Sequence, residues 1–168
     1  APPSLRLAGE YMRFSRDQLR AAYEDACRRE IEALKPGNVH LFADGHFMSA
    51  QQFLTSASVS SGPLTDPDLP VGRRILEAVR ATRLAVDTNT NLGIILLCAP
   101  LIGAAEMPGG DLHGNLGKVL DGMDVDDTAS VFEAILLASP GGLGSADAHD
   151  VRGTPKVGLV EVMREAAG

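Results

Sequence analysis

Three polar segments of the 168-residue chain carry the residue types that chemistry on a phosphorylated ligand uses. The first is Lys35-Pro36-Gly37-Asn38-Val39-His40. Lys35 offers a point charge for a phosphate, and Gly37 allows close backbone approach. Asn38 adds an amide, and His40 is a candidate base. A glycine stop at a helix end with a solvated lysine is the structural alternative. The second segment is Thr88-Asn89-Thr90-Asn91-Leu92-Gly93, at the head of a strongly apolar run. Free N–H groups and the positive dipole end of a helix start attract an anion, and Asn amides read a ribose or a base edge. Simple capping is the alternative, although one cap does not need two Asn and two Thr.

The third segment is Gly141-Gly142-Leu143-Gly144, with Asp147, His149, Asp150 and Arg152 downstream. Glycines wrap a phosphate, and Asp150 supplies oxygen ligands suited to magnesium. No strand precedes it and the Lys-Ser/Thr ending is absent, so it is neither a P-loop nor a dinucleotide fingerprint. A linker before the last helix is the competing account. Glu77 and Glu106 bracket the second segment in sequence. Each is a candidate base or metal ligand, set against the plainer reading of a solvated helix face. Asp124, Asp126 and Asp127 fit a helix cap, and the methionines fit core or loop packing.

The elements that must position these residues are helical. Ser15 with Gln18, and Ser49 with Gln52, have capping-box spacing. Leu19, Ala22, Tyr23, Ala26, Cys27, Ile31 and Leu34 recur at three and four, and Pro36-Gly37 ends that helix. A second helix follows Ser49, up to Gly62-Pro63. A third spans about Val71 to Asp87, with Ile75, Leu76, Val79, Leu84 and Val86 as its apolar side. Leu92 to Ala105 is apolar nearly all round, which predicts a central core helix. Leu112 to Leu120 and a helix from Asp127 follow, and Thr154-Pro155 reads as N-cap and N1 of a last helix to Ala167. No period-2 stretch of useful length is present. The chain therefore reads as all-α: one compact multi-helix domain of about seven helices, with a buried central apolar helix and polar interhelical loops. Residues 1–14 read as an N-terminal extension and 15–168 as the helical domain.

Composition removes whole classes of function. Fifteen Lys and Arg against 22 Asp and Glu give a net charge of −7, which repels a phosphate backbone. Aromatic residues are 4% with no Trp, too few for a base-stacking platform. Two Cys cannot build a disulfide framework, and with four His they show no paired zinc spacing. The apolar run from Leu92 to Ala105 is shorter than the roughly 20 residues a bilayer needs. The expectation is a cytoplasmic protein with reduced thiols, binding neither nucleic acid nor membrane.

The order of these motifs resembles one family. Lys35-Pro36-Gly37-Asn38-Val39-His40, then Phe53 with Ser56-Ala57, then Asn89-Thr90-Asn91-Leu92-Gly93-Ile94 with Leu96-Leu97 and Ala99-Pro100-Leu101, is similar to the triphosphoribosyl-dephospho-coenzyme A synthases. Pro140-Gly141-Gly142-Leu143-Gly144, Asp150-Val151 and Met163 extend the likeness, which runs from about Leu19 to Ala167. The resemblance implies an all-helical, ATP-dependent transferase that joins the triphosphoribosyl part of ATP to dephospho-coenzyme A and releases adenine. It implies Mg2+ with ATP as substrate, and small-molecule nucleotides as partners. On that reading Lys35, Gly37, Asn38, Asn89, Thr90, Asn91 and Gly93 bind the nucleotide and its phosphates. Glu77, His40 and Asp150 are the catalytic candidates, and Asp150 and Glu77 the metal candidates.

The chain also departs from the pattern. Many members carry Asp at the positions of His40 and Gln52, and this sequence looks closer to the branch found in archaea and one-carbon-metabolising bacteria. That leaves open an enzyme of one-carbon cofactor biosynthesis (tetrahydromethanopterin or methanofuran type), and also a non-catalytic helical assembly subunit. Family chains continue into further C-terminal helices. The expectation is that a homo-oligomer or a second chain supplies them.

Overall fold

Two reciprocal serine–glutamine caps open the first two helices. Ser15 Oγ accepts the Gln18 N–H at 3.2 Å while Gln18 Oε1 accepts the Ser15 N–H at 2.8 Å, starting α1 (Arg16–Glu32). Ser49 and Gln52 repeat the arrangement at 3.2 and 3.0 Å for α2 (Ala50–Leu64). The computed structural model describes residues 14–33, 49–139 and 150–166. Its remaining elements are α3 (Val71–Val86), α4 (Leu92–Glu106), α5 (Leu112–Gly122), α6 (Val125–Ala138) and α7 (Leu159–Ala166). Among the described residues the fold is all-helical, as the periodicity predicts.

The three aspartates cap α6. Asp124 Oδ1 accepts the N–H groups of Asp126 and Asp127, each at 2.9 Å, and Asp127 Oδ2 accepts the Asp124 N–H at 3.3 Å. The helix thus starts at Val125, before the Asp127 expected from sequence.

Contacts between helices fix their directions. Arg16 donates to Gly62 O and Tyr23 meets Ser60, so α1 and α2 run antiparallel. Arg74 near the start of α3 donates to Leu64 O at the end of α2, and pairs with Glu106 at the end of α4. Both neighbours are therefore antiparallel to α3. Gly72 with Asp127, and Arg80 with Glu133, set α3 and α6 parallel. One end of the bundle consequently gathers the last turn of α1 at Ala33, the cap of α2 at Ser49, the junction Asp87 to Asn91, and the end of α6 at Ser139. The chain returns to that end repeatedly, and the polar segment from Thr88 to Asn91 lies there.

The core runs through Tyr23, Cys27 and Ile31 of α1, Phe53, Ala57 and Leu64 of α2, Ile75, Leu76 and Val79 of α3, Ile95, Ala99 and Ile102 of α4, and Val131, Ala134 and Ala138 of α6. At ~1.5–3 kcal/mol for each fully buried large apolar side chain, this cluster decides the helix arrangement. The apolar α4 is buried along one face, through Leu92, Ile95, Ala99 and Ile102, while Leu97 on the opposite side is 65% exposed. The most enclosed helix is α3, between α2, α4 and α6.

Three expectations are corrected. Leu84 is 89% exposed, because it continues the stripe of Arg73, Glu77 and Arg80 at offsets of i+4, i+7 and i+11. Pro63 lies inside α2, which runs one residue further to Leu64. Thr154-Pro155 does not open the last helix. Pro155 is buried in an irregular approach, and α7 begins at Leu159, where Gly158 O accepts the N–H of Glu161 and Val162.

Candidate functional site

The junction between α3 and α4 is held against α2 by side chains that meet across long sequence separations. Asp87 ends α3 in the left-handed region at φ 50°. Asn89 Oδ1 accepts the Leu92 N–H at 3.2 Å, and so caps α4 from two residues before the cap position itself. Thr90 Oγ1 lies 2.6 Å from Ser56 Oγ, and Asn91 Nδ2 donates to Ser60 Oγ at 3.2 Å. Ser60 Oγ is in turn 2.8 Å from the Tyr23 hydroxyl. Asn91 is 3% exposed, whereas Thr90 and Asn89 are half-buried and Gly93 is exposed. A Cβ at Gly93 would meet nothing within 4 Å, so α4 is open to solvent at that position.

The chemistry this arrangement offers follows from the helix end. The Leu92 N–H is capped, and those of Gly93 and Ile94 have no carbonyl one turn earlier in the helix. They point outward with the positive end of the α4 dipole behind them, a setting that stabilises an anion. On the inner side, burial, reinforced by neighbouring Cys27, pushes the Tyr23 phenol far above its ordinary range, so it remains a protonated donor. Burial also pushes the Cys27 thiol up to about 11, and raises that of Cys98. Both cysteines are free thiols.

The other candidates from sequence fall elsewhere. Glu77 accepts from Arg73 at 2.7 Å and from Arg80 at 2.8 Å. It lies about 15 Å along α3 from the junction, at 1.5 Å per residue. Asp150 closes a turn: its Oδ1 accepts the Arg152 N–H at 2.8 Å, and both its oxygens take the Arg152 guanidinium at 3.3 Å. Glu106 pairs with buried Arg74 at 2.8 Å, one full helix length from the junction. It borders a groove of about 300 Å³ with Phe14, Leu19 and Thr65 at the far end of the bundle. Lys35, Gly37, Asn38 and His40, like Asp147 and His149, lie outside the described residues.

Among the described residues no three His, Cys, Asp or Glu side chains gather into a metal site. The described donors form no protein-built magnesium cage, and an Mg2+ ion held chiefly by phosphates and water needs only one or two carboxylates.

Sequence reading passed over the roles of Ser60 and Tyr23, and took Ser56 only as part of a motif. The usable signal was the i, i+4 pair Ser56 and Ser60 on the face of α2 that also carries Phe53, Ala57 and Leu64. Gln52, one of the two departures noted above, is the return arm of the α2 cap. Its amide oxygen is spent on the Ser49 backbone and supplies no carboxylate to the junction.

The domain is all-helical and gathers the ends of α1, α3 and α6 and the starts of α2 and α4 on one side. The chain belongs to the ATP:dephospho-CoA triphosphoribosyl transferase family, whose model matches residues 16–168. It is thereby a member of a transferase family. No curated protein and no solved structure matches it. Among the described residues no helix is long and apolar enough to cross a membrane.

Proposed function

We propose that this protein is an ATP-dependent transferase that moves the triphosphoribosyl part of MgATP onto a ribose hydroxyl of dephospho-coenzyme A, releasing adenine. The observation that supports it most is the α3–α4 junction, where Asn89, Thr90 and Asn91 are held in place and the N–H groups of Gly93 and Ile94 are left open. The family match across residues 16–168 supplies the reaction class.

In this reading the first turn of α4 and Lys35 hold the polyphosphate, and Mg2+ arriving with the nucleotide offsets charge that an acidic chain cannot. Asn38, Asn89 and Asn91 position ribose. Departure of adenine builds oxocarbenium character at the anomeric carbon, and the acceptor hydroxyl loses its proton as it attacks. Glu77 and Asp150 already carry arginine partners, which favours His40 as the group that takes this proton.

Calorimetric titration with MgATP separates a transferase from a non-catalytic assembly subunit, which gives no specific heat. Chromatography then tests the acceptor: adenine appears when dephospho-coenzyme A is present. A chain that binds MgATP but releases adenine only with a one-carbon cofactor precursor takes the place left open by His40 and Gln52. Asn89→Ala removes a contact of ~1–3 kcal/mol. It lowers turnover about tenfold or more on this account, and activity within about threefold of the parent removes Asn89 from the site.

A further inference from the structure

We propose that Ser56 and Ser60 set the hydrogen-bond polarity of the α3–α4 junction, so that Thr90 and Asn91 present acceptors to the neighbouring hydroxyls of a ribose. The inference rests on the nucleotide reading above and adds the part of the ligand that is read.

The argument is proton counting. A serine hydroxyl has one proton. Ser60 Oγ donates to Ser56 O at 2.6 Å, and Ser56 Oγ donates to Gln52 O at 2.7 Å. A carbonyl oxygen can only accept, so both serine protons are spent along α2. The Tyr23 hydroxyl and Asn91 Nδ2 must then both donate to Ser60 Oγ, and Thr90 Oγ1 must donate to Ser56 Oγ. Thr90 retains only lone pairs for any other partner. Asn91 has its amine end turned to α2 and its oxygen left over. That oxygen is not stranded in the core, since Thr82 Oγ1 is the only buried, unpartnered side-chain polar atom among the described residues.

Two acceptors on consecutive residues repel phosphate oxygens and welcome O–H donors. Adjacent hydroxyls on a ribose match that pair, and the phosphates fall to the N–H groups of Gly93 and Ile94 in the first turn of α4. Ser56 and Ser60 touch no ligand in this scheme; they are positioning residues, buried with no exposed surface.

The test is a calorimetric titration of the full chain with the magnesium salts of ATP, 2′-deoxy-ATP, 3′-deoxy-ATP and inosine triphosphate. At least one deoxy-nucleotide binds about tenfold more weakly than ATP, the size of one lost hydrogen bond, and inosine triphosphate binds within about threefold of ATP. In Ser60→Ala and in the isosteric Thr90→Val the ATP to deoxy-ATP ratio falls below about threefold. Thr90→Val keeps the test open should Ser60→Ala fail to fold. Equal binding of all the nucleotides by the parent overturns the proposal, as does an unchanged ratio in both variants or a loss confined to inosine triphosphate. Absence of binding by every nucleotide overturns the underlying function instead.

Discussion

The Ser60 hydroxyl takes the Tyr23 phenol at 2.8 Å from α1 and the Asn91 amide at 3.2 Å from the α3–α4 junction, so a single side chain ties three parts of the fold together. Its removal strands two buried donors, whereas removal of the phenol strands none. A buried donor left unpaired costs ~1–3 kcal/mol, against ~0.5–1.5 kcal/mol for an ordinary hydrogen bond. Ser60→Ala is accordingly expected to lose more stability in urea unfolding than Tyr23→Phe. Equal losses contradict the proton assignment.

Gly72 is the second point where one atom decides packing. Its N–H donates to Asp127 Oδ1 at 2.7 Å, and an added Cβ would lie 2.5 Å from the Asp127 backbone. Backbone cannot yield as a side chain can. Gly72→Ala should cost ~1–3 kcal/mol, a typical overpacking loss, by separating the starts of α3 and α6. A variant as stable as the parent in chemical denaturation shows that this approach is looser than described.

Arg74 and Glu106 form a pair in which the arginine side chain is 6% and the carboxylate 15% exposed. Glu106→Leu leaves the guanidinium with the Leu69 and Leu64 carbonyls alone, and an unbalanced buried charge costs ~3–5 kcal/mol, reduced here by the partial exposure of the carboxylate. The double change Arg74→Met with Glu106→Leu should lose less than the sum of the single changes. Additive losses would show that the two charges do not interact.

How much of this was legible follows from sequence distance. The caps of α1, α2 and α6 are local, within three residues, and spacing alone announces them. The face of α3 was harder, because Leu84 counts as apolar whichever side it occupies; only the charges at Arg73, Glu77 and Arg80 reveal its stripe. The second polar segment was readable as a capped helix start. Its supports were not. Tyr23 and Asn91 reach Ser60 across 37 and 31 residues, and a serine in a helix looks the same in sequence whether it faces water or a buried amide. The paired states of Glu77 and Asp150 were hidden for a different reason: a carboxylate near an arginine in sequence bonds it only if the local turn brings them together.

Alkaline pH should weaken the fold through the same network. The Cys27 thiol rises from an ordinary 9.0 to about 11 in the folded chain, and the Tyr23 phenol also rises. The unfolded chain gives up these protons first, so stability is complete below pH 9.0 and falls as pH climbs from there through about 11. The steepest loss from the thiol is ~1.4 kcal/mol per pH unit. Cys27→Ala should flatten the fall between pH 9 and 10 in urea midpoints measured across that range. An equally steep fall in the variant assigns it to other groups.

The central claim is that the turn from α3 into α4 grips a nucleoside polyphosphate. Backbone amide shifts of the labelled protein, followed during titration with MgATP, test it most directly. The account predicts saturating shifts from Asn89 to Ile94, echoed at Ser56 and Ser60. Shifts confined to the groove of Phe14, Thr65 and Glu106, or none at all, would contradict it.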